Sequence, residues 1–91
     1  MPITLHLPSV LARLSDGSRT VSASGTTVGE AVADVSARFP ALRPRLVDDG
    51  GDPYPFITYY LNDEDIRFCG GFAAPIRDGD DVAIVPAVAG G

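Results

Sequence analysis

The chain has 91 residues and 45% hydrophobic content, enough for one small domain with one core and too little for two. Its formal net charge is −5, and its only basic residues are seven arginines, with no lysine. That leaves no basic stripe to hold nucleic acid and gives an acidic surface suited to a basic partner protein. No apolar run is long enough for a membrane span and no secretory signal opens the chain, so a cytoplasmic protein away from membranes is expected. The single cysteine, Cys69, excludes an internal disulfide framework and a four-cysteine metal or iron–sulfur site.

In chain order, residues 3–7 alternate strictly, with Ile3, Leu5 and Leu7 on one face and Thr4 and His6 on the other, the period-two signature of a half-buried strand. Ser15, Asp16, Gly17 and Ser18 read as a turn, and residues 19–23 as a second, antiparallel strand, with the stem of this hairpin reaching back to Val10. Thr27-Val28-Gly29-Glu30 has capping-box spacing, the threonine hydroxyl accepting from a backbone N–H and the glutamate reaching back to the cap's own N–H. A helix is predicted from there, with Val28, Ala31, Val32, Val35 and Phe39 on one face, ending at Pro40. A short Pro/Arg piece over residues 41–47 and a Gly/Asp loop over residues 48–53 follow.

Residues 56–61 are aromatic and β-branched and predict a third strand, placed centrally, with Ile57, Tyr59 and Leu61 sharing a face. Asn62, Asp63, Glu64 and Asp65 turn the chain into a short strand over residues 66–68, which Gly70 and Gly71 break. Residues 72–76 form an apolar connector. A tight turn at Asp78, Gly79, Asp80 and Asp81 leads into the last strand, residues 82–85, which Pro86 ends because it cannot donate to a ladder. Five strands and one amphipathic helix predict an α+β two-layer fold, a sheet with one main helix packed across it.

The last six residues, Pro86-Ala87-Val88-Ala89-Gly90-Gly91, carry almost no side chain with which to anchor themselves. Fully extended they span roughly 20 Å, enough to thread a partner's active site. The two glycines remove the Cβ atoms that would hinder a narrow channel. The sequence thus divides into a domain over residues 1–85 and an extended tail over residues 86–91. The α-carboxylate of Gly91 is a poor electrophile at neutral pH and needs activation; attack on the α-phosphate of ATP in a partner enzyme would give a mixed anhydride with AMP as leaving group.

Two stretches carry a family resemblance that extends over nearly the whole chain. Asp78-Gly79-Asp80-Asp81-Val82-Ala83-Ile84-Val85-Pro86-Ala87-Val88-Ala89-Gly90-Gly91 resembles the acidic turn, last strand and Gly-Gly tail of the ubiquitin-like β-grasp sulfur carriers of the MoaD/ThiS type. Tyr60-Leu61-Asn62-Asp63-Glu64-Asp65-Ile66-Arg67-Phe68 is similar to the same region of the carriers of the cysteine-biosynthesis branch.

The resemblance implies a ubiquitin-like β-grasp whose last strand lies parallel beside the first. It implies a carrier rather than an enzyme, with Gly91 adenylated and then thiocarboxylated and Val88, Ala89 and Gly90 as the partner-binding tail. The implied partners are a ubiquitin-activating-type adenylyltransferase/sulfurtransferase, a pyridoxal-phosphate cysteine synthase and a zinc metallopeptidase. ATP and pyridoxal phosphate are then used by those enzymes, and the chain itself binds no cofactor or metal. The alternatives are the small subunit of molybdopterin synthase, a thiamine-pathway carrier, and a ubiquitin-like modifier whose tail is joined to lysines of other proteins.

The remaining candidates read as structural. Cys69 has no histidine or second cysteine near it and is expected to be an inert half-apolar side chain. His6 stands alone on the polar face of its strand, and the acidic turns lack the glycine and final glutamate of a calcium loop.

Overall fold

The alternation at the start of the chain forms β1 (Ile3–His6), with Ile3 and Leu5 buried and Thr4 and His6 half-buried. The computed structural model describes residues 2–86. β2 (Thr20–Ala23) pairs antiparallel with β1, Ile3 opposite Ala23 and His6 opposite Thr20. The hairpin stem does not reach back to Val10. Instead Pro8 opens one helical turn, α1 (Ser9–Ala12), its carbonyl accepting from Leu11 N at 2.9 Å and Ala12 N at 3.1 Å, and a 3-10 turn over Arg13–Ser15 follows. The segment turns into a helix because Leu11 and Ala12 can then both be buried, Leu11 as part of the core. Ser15 is buried there, and its hydroxyl donates to Ala12 O and Ser18 O, closing the connection to β2.

The long helix α2 (Val28–Arg38) begins as its cap predicts: the Thr27 hydroxyl accepts from Glu30 N at 3.1 Å. Glu30 reaches one residue further back than a capping box requires, accepting from the N–H and the hydroxyl of Thr26 at 2.8 and 2.9 Å. Residues Val28, Ala31, Val32 and Val35 are buried, with Phe39 partly so. Gly29 is required by packing, since a Cβ there would lie 3.1 Å from both Cβ and the carbonyl oxygen of Phe72. A short helix α3 (Arg43–Leu46) fills the Pro/Arg piece and buries Leu46 completely. The Gly/Asp loop is closed by the Asp48 carboxylate, which accepts from Gly50 N and Asp52 N.

β3 (Ile57–Leu61) and β4 (Glu64–Asp65) form a hairpin across Asn62 and Asp63, both with positive φ, 49° and 71°. The short strand therefore lies at Glu64–Asp65, not at residues 66–68. Asp65 accepts from Arg67 N at 2.9 Å, and this cap winds Ile66–Phe68 into a 3-10 turn. The connector after it holds a second 3-10 turn, Gly71–Ala73, packed on α2. β5 (Asp81–Pro86) completes the sheet, in the order β2-β1-β5-β3-β4, so the middle strand is β5 and β3 stands one place from the edge. β5 runs parallel to β1 and antiparallel to β3, a mixed sheet.

The core lies between the sheet and the two helices α2 and α3, centred on Leu5, Val28, Val32, Leu46, Tyr59 and Val82. Tyr59 spans it, its hydroxyl donating to Leu46 O at 2.7 Å and its ring meeting Phe72 edge-on at 5.1 Å. This α+β arrangement is the ubiquitin-like β-grasp.

Candidate functional site

The site is organised by how β5 starts and stops. At its start the Asp80 carboxylate accepts from Arg77 N at 2.9 Å and from the Asn62 side-chain amide at 3.1 Å, while Asn62 Oδ1 accepts from Asp81 N at 2.9 Å. The Arg77 N–H, then Asn62 and the charge of Arg77, hold the Asp80 carboxyl below its ordinary range. Thr4 N donates to Asp80 O, and His6 Nε2 lies 2.9 Å from Asp81 Oδ1, so the strand is tied to both neighbours from its first residue. That His6–Asp81 contact is exposed, which makes it a small stabiliser.

The two neighbours do not last equally long. The β1 register ends at His6 opposite Ala83, where β1 turns off through Pro8 into α1, whereas β3 stays paired until Ile57 faces Pro86. Val85 and Pro86 thus lie beyond the paired part of β1. Val85 is 47% exposed, and Pro86 offers no N–H. The chain is delivered to this rim in a fixed direction by a strand buried at Val82 and Ile84. The predicted site residues Val88, Ala89, Gly90 and Gly91 lie outside the described residues.

Around the rim the fold brings together side chains that no local pattern links: Val10, Arg45, Tyr54, Phe56 and Pro86 border a groove of about 370 Å³. Tyr54 and Phe56 stack at 4.9 Å, and the Tyr54 hydroxyl donates to Pro44 O at 2.8 Å. The sequence signal that could have marked this place is the aromatic, proline-rich run Pro53-Tyr54-Pro55-Phe56 just before a strand, too apolar for an ordinary surface loop.

The other candidates sit away from the rim. Cys69 is half-buried, its thiol pushed up by burial and then by Glu64 and Asp65, and its Sγ lies 3.6 Å from Asp65 O. A raised thiol lacks the thiolate a nucleophile needs. Among the described residues no group of three or more His, Cys, Asp or Glu could hold a metal ion, and no helix is long and apolar enough to cross a membrane.

A β-grasp domain whose parallel last strand opens on a free rim is the architecture of the small ubiquitin-like proteins. The chain belongs to the ThiS family, whose model matches residues 6–91. It is 44% identical over 93 residues to the sulfur carrier protein CysO of Mycobacterium tuberculosis, covering 100% of both chains. A chain in the crystal structure of the Amycolatopsis orientalis BexX/CysO complex superposes with a TM-score of 0.90 at 43% identity, over 98% of this chain and 99% of that one. The crystal structure of SAMP1 from Haloferax volcanii superposes with a TM-score of 0.84 at 31% identity, over 100% of both chains.

Proposed function

We propose that this protein is a sulfur carrier in which Gly91, as the terminal residue, is the reacting group, and that its sulfur goes to cysteine biosynthesis. The Gly91 carboxylate attacks the α-phosphate of ATP in a ubiquitin-activating-type enzyme, releasing pyrophosphate and forming an acyl adenylate. Hydrosulfide then attacks the acyl carbon and AMP leaves with the electron pair of the broken acyl–oxygen bond. The product is a thiocarboxylate, whose sulfur is a far better nucleophile than the oxygen it replaced. The chain is the co-substrate in this scheme. In a cysteine synthase that uses pyridoxal phosphate, the thiocarboxylate sulfur takes the place of the activating group of an activated serine, which leaves, so that cysteine stays joined to the Gly91 carbonyl. A zinc metallopeptidase then hydrolyses that bond, freeing cysteine and restoring the carboxylate.

The observation that carries this reading is the end-to-end likeness to the CysO carriers, which puts Gly90 and Gly91 inside the matched region. The fold supports it, because β5 carries the chain as far as Pro86, past the end of its β1 partner. Val88, Ala89 and Gly90 are assigned to the part that enters the partner's channel, where small side chains allow close passage.

A second reading, as a protein modifier, is favoured by the full-length likeness to SAMP1 from Haloferax volcanii. The two differ only in what attacks activated Gly91, sulfur or an amine. Intact mass spectrometry after incubation with the cognate activating enzyme, ATP and sulfide, followed by cysteine synthase and activated serine, tests the choice. One sulfur replacing one oxygen, then a cysteinyl adduct, is expected. Adducts on lysines of other proteins with no thiocarboxylate would establish the modifier instead.

A further inference from the structure

We propose that the groove at the rim of β5 is a docking site for an apolar, carboxylate-bearing segment of the enzyme that activates Gly91. This rests on the sulfur-carrier reading and adds to it a recognition surface separate from the tail.

Three features of the groove point to that occupant. Its walls are preformed, since the Tyr54–Phe56 stack and the Tyr54 hydroxyl bond to Pro44 O hold the aromatic side in place, so little ordering is required on binding. Its surface is apolar and open: Val10 is 62% and Phe56 55% exposed, two of the four large hydrophobics exposed among the described residues. Its charge is positive against the trend of the chain. Arg45 lines the groove and forms no ion pair among the described residues, and neither does Arg43 on the other side of Pro44.

The chain as a whole carries −5 and suits a basic partner surface, but six of its acids, Asp63, Glu64, Asp65, Asp78, Asp80 and Asp81, lie away from the groove, in β4, at the start of β5 and in the turns that lead into these strands. An unpaired guanidinium at the border of an apolar groove presents a planar fork to a carboxylate. Pro86 forms part of the wall, so a segment seated here lies beside the point from which the tail departs. A partner that grips the groove therefore fixes the origin of the five residues that must reach its active site.

The test is ATP–pyrophosphate exchange by the cognate activating enzyme as a function of carrier concentration. Phe56→Ala and Arg45→Glu are each expected to raise KM for the carrier about tenfold with kcat unchanged, the size of a single well-placed contact. Arg45→Lys should recover most of the loss, and Glu64→Gln, at the other end of β5, should behave as wild type. The fall of kcat/KM with added salt should flatten in Arg45→Glu, an effect that a purely structural role would not produce. Both side chains are exposed, so the variants are expected to fold, which thermal melting checks.

Unchanged KM in both variants, with the wild type active, would overturn the proposal. So would wild-type self-association that the same substitutions abolish, because the occupant would then be a second copy. A wild-type protein that is never adenylated would refute the sulfur-carrier reading itself, and the groove's role with it.

Discussion

The two ends of β5, about 17 Å apart along the strand, are built on opposite principles. At the start, Asn62, Asp80 and Asp81 exchange hydrogen bonds with one another and with the backbone of Arg77, and both neighbouring strands are paired. At the finish, one neighbour has left, Val85 is exposed, Pro86 has no donor, and the flanking groove carries bare aromatic surface and an arginine with no ion pair among the described residues. The closed end sets the register, and a strand fixed in register delivers its other end to one place. The difference teaches that stability and delivery are carried by separate residues, so each can be damaged without the other.

Leu46→Ala should break the body most severely. Leu46 is fully buried under the sheet, and its loss is expected to cost about 2–5 kcal/mol by urea denaturation. Thiocarboxylate formation per folded molecule should remain unchanged. Asn62→Ala acts on the closed end. It removes one of the two partners of the Asp80 carboxylate and the partner of Asp81 N, and is expected to cost about 1–2 kcal/mol, again without loss of activation.

Acid probes the closed end, together with the start of α2, more gently. The carboxyls of Glu30, Asp65 and Asp80 are all held below their ordinary values, by Thr26, by Arg67, and by Arg77 with Asn62 respectively. Groups depressed by folding contribute fully above their unfolded values and lose that contribution as pH falls through the folded ones. The urea midpoint should therefore stay level down to about pH 5 and decline below about pH 4. Asp80→Asn should flatten part of that decline. The smallest effect is expected from Cys69→Ser, which should leave sulfur transfer intact, since its thiol is raised by burial; a large loss with the fold preserved would return the thiol to the chemistry.

Much of this was legible locally. Ile3, Leu5 and Leu7 alternate because one face of β1 is buried, and Thr27 with Glu30 marked the helix start to the residue. What failed was what depends on partners far away in sequence. Residues 9–12 are a short apolar run that reads equally as strand or helix, and only burial of Leu11 and Ala12 decides it. The central place went to β5 rather than to the more aromatic β3, because strand order follows from the parallel pairing with β1 and not from composition. Asp65 displaced the short strand by capping the next three residues. At the site, the Gly-Gly end lies outside the described residues, and the groove is assembled from α1, α3, the 54–56 run and Pro86, of which only the aromatic run leaves a local signal.

The central claim is that sulfur is carried on Gly91 and that the folded body serves to present it. The most direct test is tandem mass spectrometry of the protein after incubation with its activating enzyme, ATP and sulfide, run on the wild type and on a variant lacking Gly91, with melting curves for both. One sulfur replacing one oxygen at Gly91 in the wild type, none in the shortened protein, and equal melting temperatures are the results the account predicts. Sulfur found on Cys69, or gained equally by the shortened protein, would contradict it.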